Sequence, residues 1–336
     1  MIETYAYARA GLLGNPSDGY FGKTISCMVR NFRARVLLHP SARLEIKTSP
    51  ADTPIFQSLQ ELRELTRWRG YYGGVRLIQA LLVRFGQYCE ANGIDLENRN
   101  FTIEYESTIP QRLGLGGSSA IVTAALRALM QFFEIAIPKP IQVNLILETE
   151  TKELGVPAGL QDRVAQVYEG LMYMDFDRRL MESRGYGEYE ALDPQLLPPL
   201  YLAYRTLLGE GTEVLHSDLR YRYESGDGSV LEAIRQWAGF AEQGRNALLE
   251  RDYPRFARLM DANFDERARV CRISDGNREM IETARSVGVP STFAGSGGAV
   301  VGCYSDEQTY SRLEEAFRSI GVAVIKPAVL PRRSDK

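Results

Sequence analysis

The sequence predicts an α+β protein built from two domains. Three observations lead there. A chain of 336 residues is longer than one ordinary core organises. Strand-type alternation and helix-type periodicity follow one another without the regular spacing of a doubly wound sheet. A compositional change over residues 178–199, first charged and glycine-containing and then holding Pro194, Pro198 and Pro199, divides the chain where a linker would. The expected domains are residues 1–192 and 193–336.

Residues 4–10, rich in tyrosine and alanine, read as a short strand running into a turn-rich loop at 11–22. Residues 29–38 and 44–48 alternate as half-buried strands do. Over 74–92, Val75, Leu77, Ile78, Leu81, Leu82 and Phe85 recur at helix spacing, and Asn92-Gly93 stops the helix. A strand at 101–106 leads through a glycine-rich segment into a helix of high propensity at 120–133. A second helix spans 141–153. The loop at 155–159 leads into 160–168, and 171–176 reads as a strand. After the boundary come a strand at 201–208, helices at 231–249, 253–262 and 278–287, a glycine-rich strand pair at 291–304, a helix at 308–318 and a strand at 322–326.

Composition narrows the function. A net charge of -3 argues against a general nucleic-acid binder, which usually presents a basic footprint. Cys27, Cys89, Cys271 and Cys303 lack metal or redox spacing and read as reduced, mostly buried thiols of a cytoplasmic protein. With His39 and His216 the only histidines, a multi-histidine zinc site is not expected, and acid–base work falls to carboxylates. No signal peptide is read at the N-terminus, and no apolar run reaches membrane-spanning length. No membrane partner is expected.

The strongest motif is Pro110-Gln-Arg-Leu-Gly114-Leu115-Gly116-Gly117-Ser118-Ser119-Ala120, between a strand and a helix. Phosphates need backbone N–H donors at close range, and glycine lets the main chain approach them. The following helix aims its positive end at the loop. Read by itself, the segment is equally a tight turn with a serine N-cap. It is neither of two familiar glycine motifs. Ser119 stands where the third glycine of G-x-G-x-x-G is needed, and Ser17 stands where a P-loop ending in Gly22-Lys23-Thr24 needs its first glycine.

Glu150 and Asp162 form a second signal. A phosphoryl transferase needs a metal ligand and a base, which two carboxylates near a phosphate loop would supply. Each alone also reads as a solvated charge, and Asp162 with Arg163 as a local ion pair. The polar loop from Arg9 to Lys23 suits substrate binding, although Asn15-Pro16-Ser17-Asp18-Gly19 also suits a β-turn. Thr292-Phe-Ala-Gly295-Ser-Gly297-Gly298 again offers bare backbone, or simply a glycine hairpin.

In this order the segments resemble the three motifs of the GHMP kinases, over nearly the whole chain. The second motif is similar to the family's P-x-x-x-G-L-G-S-S-A with one added glycine. The stretches Leu12 to Thr24, Tyr71 to Leu77, Gly117 to Val122 and above all Ala158-Gly-Leu-Gln-Asp162-Arg-Val-Ala-Gln-Val-Tyr168 look like those of the plant glucuronokinases. The resemblance implies a GHMP kinase fold, with a ribosomal-protein-S5-like N-terminal domain and a ferredoxin-like C-terminal domain, and ATP and sugar between them.

Carried onto this chain, the resemblance implies that Gly114, Leu115, Gly116, Gly117, Ser118 and Ser119 cradle the triphosphate. Ser119 and Glu150 would ligate Mg2+, with Ser118 as the alternative that the added glycine leaves open. Asp162 would deprotonate the acceptor hydroxyl, Arg9 would hold it ionised, and Asp18 and Gly159 would contact the sugar. Galactokinases carry Glu-His where this chain has Asn15-Pro16, so their sugar contacts do not transfer there. The implied reaction makes glucuronate 1-phosphate from ATP and D-glucuronate. A uronate needs a cationic partner, and Arg67, Arg69, Arg76, Arg163 and Lys23 are candidates. Another sugar as acceptor, or a catalytically silent sugar and ATP sensor, are the alternatives. A sensor has no need of a base, and a decarboxylase of the same fold is the remotest reading. The oligomeric state is not legible.

Overall fold

One long antiparallel pair, β1 (Ile2–Leu13) with β2 (Lys23–Pro40), carries most of what the rest of the chain builds on. The computed structural model describes residues 1–47, 73–96, 99–205 and 212–329, without the side chains of 212–217. β1 is buried almost without interruption from Ala6 onward, because both its faces are covered. Its small residues suit that position, and the strand continues past the expected end at residue 10. The register of the pair shifts at Tyr7/Ala8, where Arg30, Asn31 and Phe32 bulge out of β2. That bulge turns Phe32 onto Tyr204 of the second sheet, ring centroids 5.6 Å apart.

The first sheet adds β3 (Glu45–Lys47), β4 (Phe101–Ser107), β5 (Leu171–Asp175) and β6 (Glu188–Leu192). β4 pairs with the second half of β2 and β5 with its first half. The second sheet has the order β10-β7-β9-β8, built from β7 (Leu200–Tyr204), β8 (Thr292–Phe293), β9 (Ala299–Cys303) and β10 (Ala323–Ile325), all antiparallel. The architecture is α+β, and the break between the two sheets falls between β6 and β7.

The described residues also form ten α-helices: α1 (Gly74–Ala91), α2 (Gly117–Phe133), α3 (Lys139–Glu148), α4 (Gln161–Tyr168), α5 (Arg178–Arg184), α6 (Thr212–Glu224), α7 (Gly228–Glu250), α8 (Tyr253–Val270), α9 (Asp275–Ser286) and α10 (Glu307–Ser319). α2 lies flat on β1 and β2 because its buried face is mostly alanine, valine and leucine. Each large aliphatic side chain fully buried there stabilises the fold by about 2 kcal/mol. Thr4 of β1 donates to the Ala124 carbonyl at 2.7 Å, which fixes the helix along the strand. One apolar core runs on through β1 and β2 into β7, β9, α7 and α8. A smaller one lies between the second sheet and α8, α9 and α10.

Some elements depart from the sequence reading. The charged stretch expected to open the inter-domain segment instead folds as α5, capped by Asp177, and the exposed edge strand β6. The expected helix at 141–153 is α3 followed by a single π-helical turn, Thr149–Glu153. α6 was not foreseen, and α8 runs eight residues past its expected end to Val270.

Candidate functional site

α2 begins three residues earlier than its apolar periodicity suggests, and that start defines the centre of the site. Gly116 is its N-cap, in the left-handed region with φ 72°, and no side chain caps the helix or places an acid in its first turn. No side chain of the helix itself therefore occupies the first-turn amides, as an anion site requires. Two glycine segments meet here. A Cβ on Gly295 would collide with the Gly114 carbonyl, so the loop after β4 and the glycine run between β8 and β9 can touch only as bare backbone.

Arg9, 5% exposed near the middle of β1, lies against this loop. Its Nε and Nη2 both reach Asp162 Oδ1 at 2.6 Å, and its Nη1 donates to the carbonyls of Gly114 (2.6 Å) and Ala294 (2.5 Å). Asp162 sits in the first turn of α4, partly exposed. A Cβ placed on Gly116 would lie 3.4 Å from Asp162 Oδ2, so the carboxylate and the loop are in contact range. Gln166, one turn along α4, donates to the Gly116 carbonyl at 2.7 Å and holds the two elements together. Sequence reasoning missed it, although its spacing of four from Asp162 puts both on one helix face.

Glu150 stands in the π-helical turn, 1% exposed. Its carboxylate accepts from Ser118 Oγ at 2.6 Å and is ion-paired with the buried Arg163. Of the two serines considered beside Glu150 as metal ligands, Ser118 is the one that meets it. Ser119 is fully buried and its hydroxyl donates to the Gly116 carbonyl at 3.1 Å. Successive residues of a helix point about 100° apart, so only one of two neighbouring serines can face the acid. Ser118 and Glu150 together offer hard oxygen donors beside the open helix end, a set that suits Mg2+.

Asp18, half-buried in the turn after β1, accepts from the Gln161 backbone N–H at 3.1 Å. Burial pushes its carboxyl up to about 6, with the nearby Asp162 charge acting the same way and the Gln161 amide against it. Gly159 makes this approach possible, because any side chain there would occupy the space of the Asp18 carboxylate. Asp18 and Gly159 line a cavity of about 150 Å³ with Phe21, Leu160, Met181 and Arg220. A larger cavity, about 440 Å³, opens at the far ends of α2 and α4 between Tyr5, Arg127, Lys139 and Tyr168, away from these groups.

A third layer comes from α8, which the sequence did not connect with the site. Asn263 accepts from the Gly14 amide at 2.8 Å, and Arg267, 1% exposed, donates to the Gly295 carbonyl at 2.7 Å and the Ser296 carbonyl at 3.2 Å. Asn15 donates to the same Gly295 carbonyl at 3.1 Å. These bonds fix the glycine run against the loop that carries Asp18. Of the basic residues considered for a substrate carboxylate, Arg163 is spent on Glu150 and the Gly159 carbonyl. Lys23 is spent on Glu242 (3.0 Å) and Asp175 (3.4 Å). Arg76 is exposed on α1, and Arg67 and Arg69 lie outside the described residues.

The chain is similar to known proteins over nearly its whole length. The model of the GHMP kinases N-terminal domain matches residues 76–170. Glucuronokinase 1 of Arabidopsis thaliana is 44% identical over 98% of this chain and 92% of its own length. The probable glucuronokinase 2 of the same plant is 45% identical over 99% and 93%. Among solved structures, Lactococcus lactis galactokinase in complex with galactose superimposes with a TM-score of 0.75 at 14% identity, covering 97% of this chain and 93% of that one.

Proposed function

The chain belongs to the GHMP kinase family, whose members use ATP as phosphate donor, and on that footing we propose that it phosphorylates the anomeric hydroxyl of D-glucuronate. The products are ADP and glucuronate 1-phosphate. One observation carries the reading beyond the family likeness. The Arg9–Asp162 pair lies against the open N-terminus of α2 and close to the cavity that holds Asp18, so a base stands between a phosphate cradle and an acceptor pocket.

In this reading the first-turn amides of α2 and the backbone of residues 114–119 bind the triphosphate. Ser118 and Glu150 would hold Mg2+, whose charge offsets that of the β- and γ-phosphates when bound. The acceptor hydroxyl donates to Asp162. Its proton passes to the carboxylate as the new O–P bond forms and the bond to ADP breaks. Arg9 keeps the carboxylate oriented and brings positive charge to the transfer zone, and Asp18 accepts from sugar hydroxyls. Residues 1–192 form the ribosomal-protein-S5-like domain and 193–336 the ferredoxin-like domain. The substrate side needs no membrane, and no described helix is long and apolar enough to cross one. Four unpaired cysteines support a cytoplasmic setting.

The test is ADP release by purified protein with ATP and Mg2+ across a panel of uronates and neutral sugars. D-glucuronate is expected to give the highest kcat/KM. Turnover of another sugar with none on glucuronate overturns the acceptor.

A further inference from the structure

We infer that Arg220, on α6, grips the carboxylate of the acceptor and sets the preference for a uronate over the corresponding neutral hexose. The inference rests on the acceptor proposed above. The cavity lined by Asp18 and Gly159 has two ionisable residues in its lining, Asp18 and Arg220. The remaining lining is apolar or glycine, contributed by Phe21, Leu160, Met181 and their neighbours. Such a pocket is polarised. An anionic group entering it is repelled by Asp18 and attracted by Arg220, while sugar hydroxyls find an acceptor in Asp18.

Polarity also gives the ring a direction. The hydroxyl that reacts must lie toward Asp162, which stands next to Asp18 through the Gln161 turn. The carboxylate of a hexuronate is carried on C5, across the ring oxygen from the anomeric carbon, and its bond diverges from that of the reacting oxygen, which leaves it to extend toward Arg220. Among the described residues the ion-pair partner of Arg220 is Glu224, at 4.0 Å and one turn along the same helix, with the Arg220 side chain 49% exposed. An exposed pair of that length contributes little, so the guanidinium can exchange it for a bidentate carboxylate without a large penalty. The ring of Tyr20, 6.0 Å from the guanidinium, supports it from the side of the Asp18 loop. Arg163 and Lys23 are already committed elsewhere, as described above.

The experiment is steady-state kinetics of Arg220→Ala and Arg220→Lys against the wild type, with D-glucuronate and D-glucose as acceptors and with ATP varied separately. Loss of a charge-assisted contact predicts a rise of about ten- to a hundredfold in the glucuronate KM for Arg220→Ala, with partial recovery in Arg220→Lys. The ATP KM stays within about twofold, and the preference for glucuronate over glucose falls by the same factor as the glucuronate KM rises. A glucuronate KM unchanged within about twofold in Arg220→Ala overturns the inference. So does an equal loss toward both acceptors, which would make Arg220 a support for the pocket. If the wild type leaves glucuronate untouched but phosphorylates a neutral sugar, the acceptor proposal fails first and this inference with it.

Discussion

The proposed phosphate side and the proposed acceptor side of this site are built differently. The phosphate side is backbone: a helix N-terminus whose N-cap is Gly116, the loop around Gly114, and the run at Gly295 packed against it where side chains cannot fit. The acceptor side is assembled from separate elements, with the side chains of Asp18 from the turn after β1 and Arg220 from α6 beside the bare backbone of Gly159 before α4. Backbone geometry is costly to alter, because a Cβ at the contact must displace main chain. Side chains in a pocket change one at a time. On the proposed reading, the contrast teaches that main chain fixes the donor side while the acceptor side can change one residue at a time.

The largest expected effect cuts across both sides. Asp162→Asn removes the proton acceptor and should lower kcat by at least about a hundredfold, while ATP affinity, measured by calorimetry, stays within about threefold. Loss of ATP binding would show that Asp162 supports the phosphate loop instead.

The next effect separates the two serines. Ser118→Ala should lower kcat/KM by about tenfold or more and raise the magnesium concentration needed for half activity. Ser119→Ala removes a buried hydrogen bond and should cost about 1 kcal/mol in denaturant unfolding with little change in magnesium dependence. The reverse pattern would return the metal to Ser119.

A smaller effect belongs to the acceptor side and is read from pH. Burial raises the Asp18 carboxyl to about 6, so the group holds its proton below that pH and ionises as pH rises through it. The charged form accepts sugar hydroxyls better, and kcat/KM for the sugar should therefore rise with pH through about 6. Asp18→Asn should flatten that rise as well as raise the sugar KM. A profile of unchanged shape would remove Asp18 from acceptor binding.

The same division explains what was legible in the sequence. Backbone sites need contiguous residues of special type, so Pro110 to Ala120 could be read directly. The order along the chain singled out Arg9, Glu150 and Asp162, and the structure brings all three to the Gly114–Ser119 loop. The choice between Ser118 and Ser119 could not be read, because it depends on the phase of α2 and hence on the residue at which the helix starts. Arg163 makes the local ion pair with Asp162, Nη1 to Oδ2 at 3.7 Å, but its Nη2 also pairs with the buried Glu150, which the sequence did not indicate. Asn263 and Arg267 brace the glycine run from a helix that carries no motif, and only the packing of α8 brings them there. α5 and β6 were hidden because an edge strand and an exposed helix can be as charged as a linker.

The central claim is transfer to the anomeric oxygen of glucuronate, and phosphorus NMR of the product tests it most directly. With D-glucuronate, ATP and Mg2+, the account predicts one new phosphomonoester whose phosphorus couples to the anomeric proton, appearing as ADP is released. A phosphate coupled to any other ring proton, or ADP released with no phosphorylated sugar, would contradict it.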